Sequence, residues 1–194
     1  MKTFEELKEE LLTRAKNAGA CQSGYAMGLR SNTKADLLKA ITENWFWVLR
    51  NAKIIDAEYL EDNFTEEELS QAGIYTKNTH EVRTASFACG SATVKAYGSA
   101  TVKAYDSATV KAYGSATVKA YDNSYVEDCT GNIRPESDYA IVKDYYSHKI
   151  YIKKGKFEII EVDLCRIKGS AITVLKAVRE AKCAPLPFNL VRAV

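Results

Sequence analysis

Residues 91–122 read SATVKAYG, SATVKAYD, SATVKAYG, SATVKAYD: one octapeptide four times over, changing only in its last residue. A fixed period is the mark of a repeat architecture. Within each copy Ala92, Val94 and Ala96 alternate with Thr93, Lys95 and Tyr97, the period-two pattern of a strand with one apolar face and one polar face. The remaining pair, Gly98-Ser99 or Asp106-Ser107, supplies corner residues. Two arrangements can use such a unit. In an antiparallel meander with two-residue turns, Tyr97 would share a face with Ala100, so the Ala/Val/Ala set would change sides at every strand. Neither face could then form a core, and a one-residue shift exchanges whole faces rather than repairing them. A parallel solenoid keeps every Ala/Val/Ala set inward and every Thr/Lys/Tyr set outward. The corners alternate Gly98, Asp106, Gly114, Asp122, which doubles the true period to 16 and favours a two-sided coil with Gly over Gly and Asp over Asp.

Worn copies extend the frame. Counting in eights reaches Ser124-Tyr125-Val126-Glu127, Ala140-Ile141-Val142-Lys143 and His148-Lys149-Ile150-Tyr151-Ile152, and backwards Thr84 to Gly90. The frame breaks near Lys156, where Ile159, Ile160 and Val162 read as a closing strand. Nine or ten strands over residues 82–162 are expected.

Ahead of the repeats the period is that of helices. Residues 3–17 carry Phe4, Leu7, Leu11, Leu12 and Ala15 at helical spacing behind a Thr3/Glu6 capping box. A short helix is expected near Gln22–Leu29. A longer one follows the Thr33/Asp36 cap, with Leu37, Leu38, Ile41, Trp45, Val48 and Leu49 on one face. Shorter helices are expected over Asp56–Asn63 and Glu66–Ala72, the latter capped by Thr65 with Glu68 and ended by Gly73. The predicted class is therefore α+β: a helical domain (1–80), a short two-sided parallel β-solenoid of octapeptide repeats (81–162), and a small C-terminal helical cap or tail (163–194) with a helix over Ala171–Lys182. Open solenoid ends need covers, and the helical domain and the tail are the candidates.

The net charge of +2 conceals a gradient: −3 over residues 1–80 (10 Lys/Arg against 13 Asp/Glu) and +4 over 163–194 (6 against 2). Five widely spaced cysteines, with no C-x-x-C pair, read as incidental thiols of a reducing compartment. The charged N-terminus lacks the apolar core of a secretory signal, and no run approaches a membrane span. A cytoplasmic protein without membrane contact is expected.

Catalytic signals are weak. The two histidines, His80 and His148, lie outside any H-E-x-x-H, and no P-loop, G-x-S-x-G or Rossmann motif occurs. No enzyme activity, cofactor or metal is expected. The candidate contact residues are the outward ladders: Lys95 over Lys111 and Tyr97 over Tyr113 on one face, Lys103 over Lys119 and Tyr105 over Tyr121 on the other. Rows of Lys beside rows of Tyr suit a nucleic-acid backbone with stacked bases or an acidic protein surface. In the helical domain Trp45 belongs to the buried stripe, which leaves Trp47 as a candidate partner anchor, or Phe46 and Trp47 as a contact with the first coil.

The segment Gly90–Asp122, with its exit Asp122-Asn123-Ser124-Tyr125-Val126, resembles tandem G-N-A-T-V-x-A-Y-type repeats of uncharacterised proteins from bacterial prophages and mobile elements. The resemblance implies a non-enzymatic inhibitor of a host defence nuclease, of the anti-CRISPR kind, whose partner is an RNA-guided nuclease or the nucleic acid it holds. Two alternatives stand beside it: a structural or assembly spacer, and an acyltransferase-like enzyme. The second rests on a distant likeness to the hexapeptide acyltransferases, which build a left-handed β-helix on a period of six rather than eight.

Overall fold

The computed structural model describes residues 2–154, which belong to one compact unit. The expected closing strand at Ile159, Ile160 and Val162 and the tail cap over 163–194 lie outside the described residues.

Three capping boxes start helices where the sequence places them. Glu6 N–H donates to Thr3 Oγ1 while Thr3 N–H donates to Glu6 Oε2 (3.3 and 2.9 Å) at the head of α1 (Phe4–Asn17). Thr33 with Asp36 and Thr65 with Glu68 do the same for α3 (Lys34–Glu43) and α5 (Glu66–Gln71). Between them lie α2 (Gln22–Arg30) and α4 (Ala57–Asn63). The long helix expected through Leu49 is interrupted. Asn44 turns its amide back onto Ala40 O (2.9 Å), a side-chain bond that competes with the backbone ladder. A π-helical turn then spans Trp47–Asn51, widening the helix locally while Trp45, Val48 and Leu49 stay buried.

From residue 74 the chain winds as a parallel β-solenoid of about four turns. The strands are β1 (Ile74–Tyr75), β2 (Thr79–Val82), β3 (Ser86–Ala88), β4 (Thr93–Ala96), β5 (Thr101–Ala104), β6 (Thr109–Ala112), β7 (Thr117–Ala120), β8 (Tyr125–Asp128), β9 (Ile141–Asp144) and β10 (Lys149–Tyr151). Strands β1 to β8 alternate between a four-stranded sheet, β1-β3-β5-β7, and a six-stranded sheet, β10-β9-β8-β6-β4-β2, in which β9 and β10 also lie. The 16-residue period is realised residue for residue: Val94 lies beside Val110 and Val102 beside Val118. The inward Ala and Val residues, among them Ala92, Val94, Ala96, Val102 and Val110, are fully buried and make one thin core. The coil starts earlier than the octapeptide count reaches, because its first turn is tighter. Ile74 pairs with Phe87 and Thr79 with Thr93, spacings of 13 and 14 residues.

Each corner is a four-residue turn closed by a backbone bond, such as Ala100 N–H to Tyr97 O (3.2 Å) and Ala108 N–H to Tyr105 O (3.1 Å). Its second residue has positive φ: Gly98 (61°) and Gly114 (68°) on one corner, Asp106 (53°) and Asp122 (54°) on the other. An Asp there carries a backbone penalty of about 1–2 kcal/mol. Its carboxylate offsets this by accepting from the corner above: Gly90 N–H donates to Asp106 Oδ2 (3.0 Å) and Asp106 N–H to Asp122 Oδ2 (3.4 Å). Bonds to a charged acceptor are worth roughly 1.5–3 kcal/mol, enough to keep Asp in place. At Gly90 the conformation comes with crowding, since a Cβ would lie 2.7 Å from Thr76 O.

Both ends of the core are covered by rings. Tyr75 stands on the Ala88–Ala104–Ala120 column and His80 on the Val94–Val110 column, and the two rings lie 4.4 Å apart. At the other end Tyr151, opposite Val142, packs on the core beneath the Arg134 guanidinium, 3.9 Å from its ring. The helices meet the solenoid along its side rather than only at an end. Their core takes in Ile74, Cys89 and Tyr105 of successive rungs, with Phe87 and Tyr121 packed against it. Trp45, 1% exposed, lies 4.6 Å from the Phe87 ring.

The copy expected at His148 is not a further rung. β10 runs antiparallel to β9, and between β8 and β9 a loop takes the place of a strand, with Pro135 bridging to Ala120 and Glu136 N–H donating to Ala120 O (2.9 Å). The cause lies in two substitutions in the inward column, where Asp128 and Asp144 follow Ala96 and Ala112. Both are buried, and each carboxylate collects the turn that follows it. Asp128 accepts from Thr130, Gly131 and Ile133 N–H (2.7, 3.1 and 2.9 Å). Asp144 accepts from Tyr146 and Ser147 N–H (2.8 and 3.0 Å) and from Ser147 Oγ (2.7 Å). These are Asx turns that divert the chain out of the coil.

Deleting Ser99–Gly114 should leave every later strand on its own sheet and every corner of its own type, so the cooperative thermal transition by circular dichroism should persist. Deleting only Ser99–Asp106 moves all later strands to the opposite sheet and puts Gly on the Asp corner, and that transition should be lost. A second expectation concerns pH. The Ser147 hydroxyl and the turn amides hold the Asp144 carboxyl below the ordinary aspartate range. A depressed folded-state value contributes stability that is complete above the unfolded-state value and is lost as pH falls through the folded one. On acidification, hydrogen exchange should therefore show β10 losing protection while β4–β7 retain it. Asp144→Asn should loosen β10 at neutral pH and lack that acid step.

Candidate functional site

In-register stacking converts each outward position of the repeat into a column, and the two sheets present theirs differently. On the six-stranded sheet one column runs Glu81, Lys95, Lys111, Glu127, Lys143, and its neighbour runs Thr79, Thr93, Thr109, Tyr125, Ile141. The Lys ladder is neutralised from within. Lys95 Nζ lies 3.3 Å from Glu81 Oε1 and Lys111 Nζ 2.9 Å from Glu127 Oε2. The hydrogen bond to Glu127 raises the Lys111 ammonium above its ordinary range, and the adjoining Tyr145, whose ring lies 4.6 Å from Lys143 Nζ, raises Lys143. At the corner of this sheet Tyr97 and Tyr113 stack at 5.1 Å with planes 12° apart, and the Arg83 guanidinium sits 5.5 Å from the Tyr97 ring. Both tyrosines are half-buried by one another and keep an open edge.

On the four-stranded sheet the equivalent tyrosines are taken up by the helices. Tyr105 and Tyr121 stack at 4.8 Å and 13°, but Trp45 lies 6.2 Å from Tyr105 and Phe46 packs edge-on against Tyr121 at 5.7 Å. Arg50 closes the arrangement, with Nε 3.4 Å from Asp122 Oδ1 and the guanidinium 5.5 Å from the Tyr121 ring. Tyr105 is 1% exposed, and burial, followed by the neighbouring Tyr121, pushes its hydroxyl far up in pKa. Burial also raises Tyr121 and the Cys89 thiol, which stands one rung above Tyr105. Lys103 extends over the Phe87 ring at 5.2 Å, while Lys119 is exposed.

The eight ladder residues singled out by sequence thus fall into two groups. Lys95, Tyr97, Lys111 and Tyr113 form one continuous open strip. Tyr105 and Tyr121 are the docking surface of the helical layer, and of Lys103 and Lys119 only the second stands free in solvent. Trp47 is half-buried and lines a cleft among the helices; the exposed aromatic of the Trp45–Trp47 triplet is Phe46, at 44%. Glu81, Glu127, Lys143 and Arg83 belong to the open strip without having been singled out. Counting 16 from Lys111 reaches Glu127 and then Lys143, so that part was readable; Glu81 was hidden by the shorter first turn.

The strip offers charge pairing and ring stacking and no poised nucleophile. His80 Nε2 pairs with Lys77 O at 2.9 Å and lies 3.8 Å from Glu66. His148 sits in the hairpin turn with φ 55°. Among the described residues no group of three or more His, Cys, Asp or Glu is placed to hold a metal ion, and no helix is long and apolar enough to cross a membrane. Comparison with protein-family models, curated proteins and solved structures found no match.

Nitration with tetranitromethane should separate the two tyrosine pairs. The tryptic peptide AYGSATVK carries Tyr97 or Tyr113, and AYDSATVK carries Tyr105. The first should be nitrated well before the second, and Trp45→Ala should narrow the difference.

Proposed function

We propose that the chain is a non-enzymatic binding protein that meets a protein partner with the outer face of its six-stranded sheet. The observation that carries this reading is the asymmetry of two nearly identical faces. Identical Tyr residues are spent on internal docking on one side, while on the other they stand beside the Lys column as an ordered, in-register strip. The strip is rigid, rich in Tyr, Thr and Ser, and of mixed charge. Stacked tyrosines give large contact area at low entropic cost, and hydroxyls give adaptable hydrogen bonds, as in antibody paratopes. The alternation of Glu81, Lys95, Lys111, Glu127 and Lys143 matches a mixed-charge protein surface better than the uniform negative charge of a nucleic-acid backbone, which rewards unpaired Lys and Arg. The resemblance of the repeats to those of mobile-element proteins supports a host defence nuclease as that partner.

The test is affinity capture from bacterial lysate containing an RNA-guided nuclease, with and without nucleic-acid digestion, read by mass spectrometry. Wild type should retain a defined protein after digestion. The variant Lys95→Ser/Tyr97→Ser/Lys111→Ser/Tyr113→Ser should lose it with an unchanged far-ultraviolet circular dichroism spectrum, while Lys119→Ser should not. Capture that disappears on digestion would replace the protein partner by nucleic acid, and equal capture by the quadruple variant would remove this face from the interaction.

A further inference from the structure

The helical layer contains a second feature that the solenoid face does not explain. A cleft of about 310 Å³ opens between α1, α2, α3 and the π-helical turn. Its walls include Leu11, Leu12, Ile41, Val48, Trp47 and Ile54, and among the described residues no charged side chain lines it. The cleft follows from the way α2 is seated. This helix alone among α1–α5 buries no residue. It touches its neighbours through two glycines one turn apart: a Cβ at Gly24 would lie 3.3 Å from Asn44 Oδ1, and one at Gly28 3.2 Å from Leu12 Cδ2. The backbone of α2 therefore comes close to Asn44 and to α1 at these points. Its polar lining residues include Cys21, Tyr25 and Asn44, the last with its amide nitrogen bonded to Ala40 O and Met27 Sδ, which leaves Oδ1 as the acceptor.

We infer that this cleft is a binding site for a neutral, lipophilic small molecule carrying one hydrogen-bonding group. The volume falls at the lower end of small-molecule pockets, and an apolar lining with a few polar groups at one side is their usual composition. The occupant is neutral because a charged group would be desolvated against walls that offer it no counter-charge. A single polar group is matched by Asn44, Tyr25 and Cys21. The size suits one compact molecule rather than a docked helix, which needs a groove running along its length. The inference is independent of the proposed role of the solenoid face.

The experiment titrates the full chain with N-phenyl-1-naphthylamine, a neutral lipophilic fluorophore, and follows its emission. Saturable binding at one site per chain is expected. Alkylation of Cys21 by iodoacetamide, read by peptide mass mapping, should slow at saturating probe, while alkylation of Cys129 should not. Ala40→Phe and Ala15→Phe each fill the cleft from a different wall, and each should weaken binding by about tenfold or more; the second serves if the first does not fold. The quadruple variant of the solenoid strip should bind the probe as wild type does. Emission that never saturates, unchanged affinity in a folded filling variant, or unprotected Cys21 would each overturn the inference. An absence of any emission change would equally overturn it.

Discussion

Parallel stacking at a 16-residue period means that, through the exact repeats, a side chain meets its own counterpart one turn away. This constraint selects what each position can be. Inward, it demands residues whose copies fit above and below themselves in a core only two sheets thick, and Ala and Val answer that demand while larger residues are kept for the ends, where Tyr75, His80 and Tyr151 have no copy beyond them. Outward, it brings like beside like, which suits tyrosine rings and opposes ammonium groups. The opposition is met differently on the two sides: by Glu81 and Glu127 set into the Lys column of one sheet, and by Phe87 beneath Lys103 on the other.

The helical layer then breaks the symmetry of the repeat. Trp45, Phe46 and Arg50, all from the segment around the π-helical turn, reach Tyr105, Tyr121 and Asp122 on two successive rungs. The turn's departure from α-helical spacing accompanies this reach, since Trp45 remains in the core while Trp47 and Val48 face the cleft on the other side. One short stretch therefore shapes two surfaces, the docked corner of the solenoid and the wall of the apolar cleft.

Much of the architecture was legible because the repeat is nearly perfect. The Ala92/Val94/Ala96 alternation fixed which side faces in, and the Gly98/Asp106 alternation fixed two sides per coil. Capping residues at Thr3, Thr33 and Thr65 located helix starts to the residue. What escaped were departures from periodicity. The first turn, 13 to 14 residues long, carries no octapeptide echo, so Ile74 and Thr79 were read as lying before the coil. The Ala-to-Asp changes at 128 and 144 were hidden because their effect runs through backbone amides of residues further along the chain. The candidate strip was half legible. A linear repeat makes its two faces equivalent, and only the packing of Trp45 and Phe46 against Tyr105 and Tyr121 assigns one to the interior and leaves the other open.

The reversal of β10 bears on assembly. A stack of identical parallel rungs has no intrinsic length, because the exposed edge of the last rung is a template for another, including one supplied by a second molecule. Here, among the described residues, the six-stranded sheet ends on a strand of opposite direction. A neighbour arriving with its own parallel rung finds neither the polarity nor the 16-residue pitch continued. Within residues 2–154, the two buried aspartates that turn the chain aside thus interrupt a potentially endless parallel stack in the six-stranded sheet.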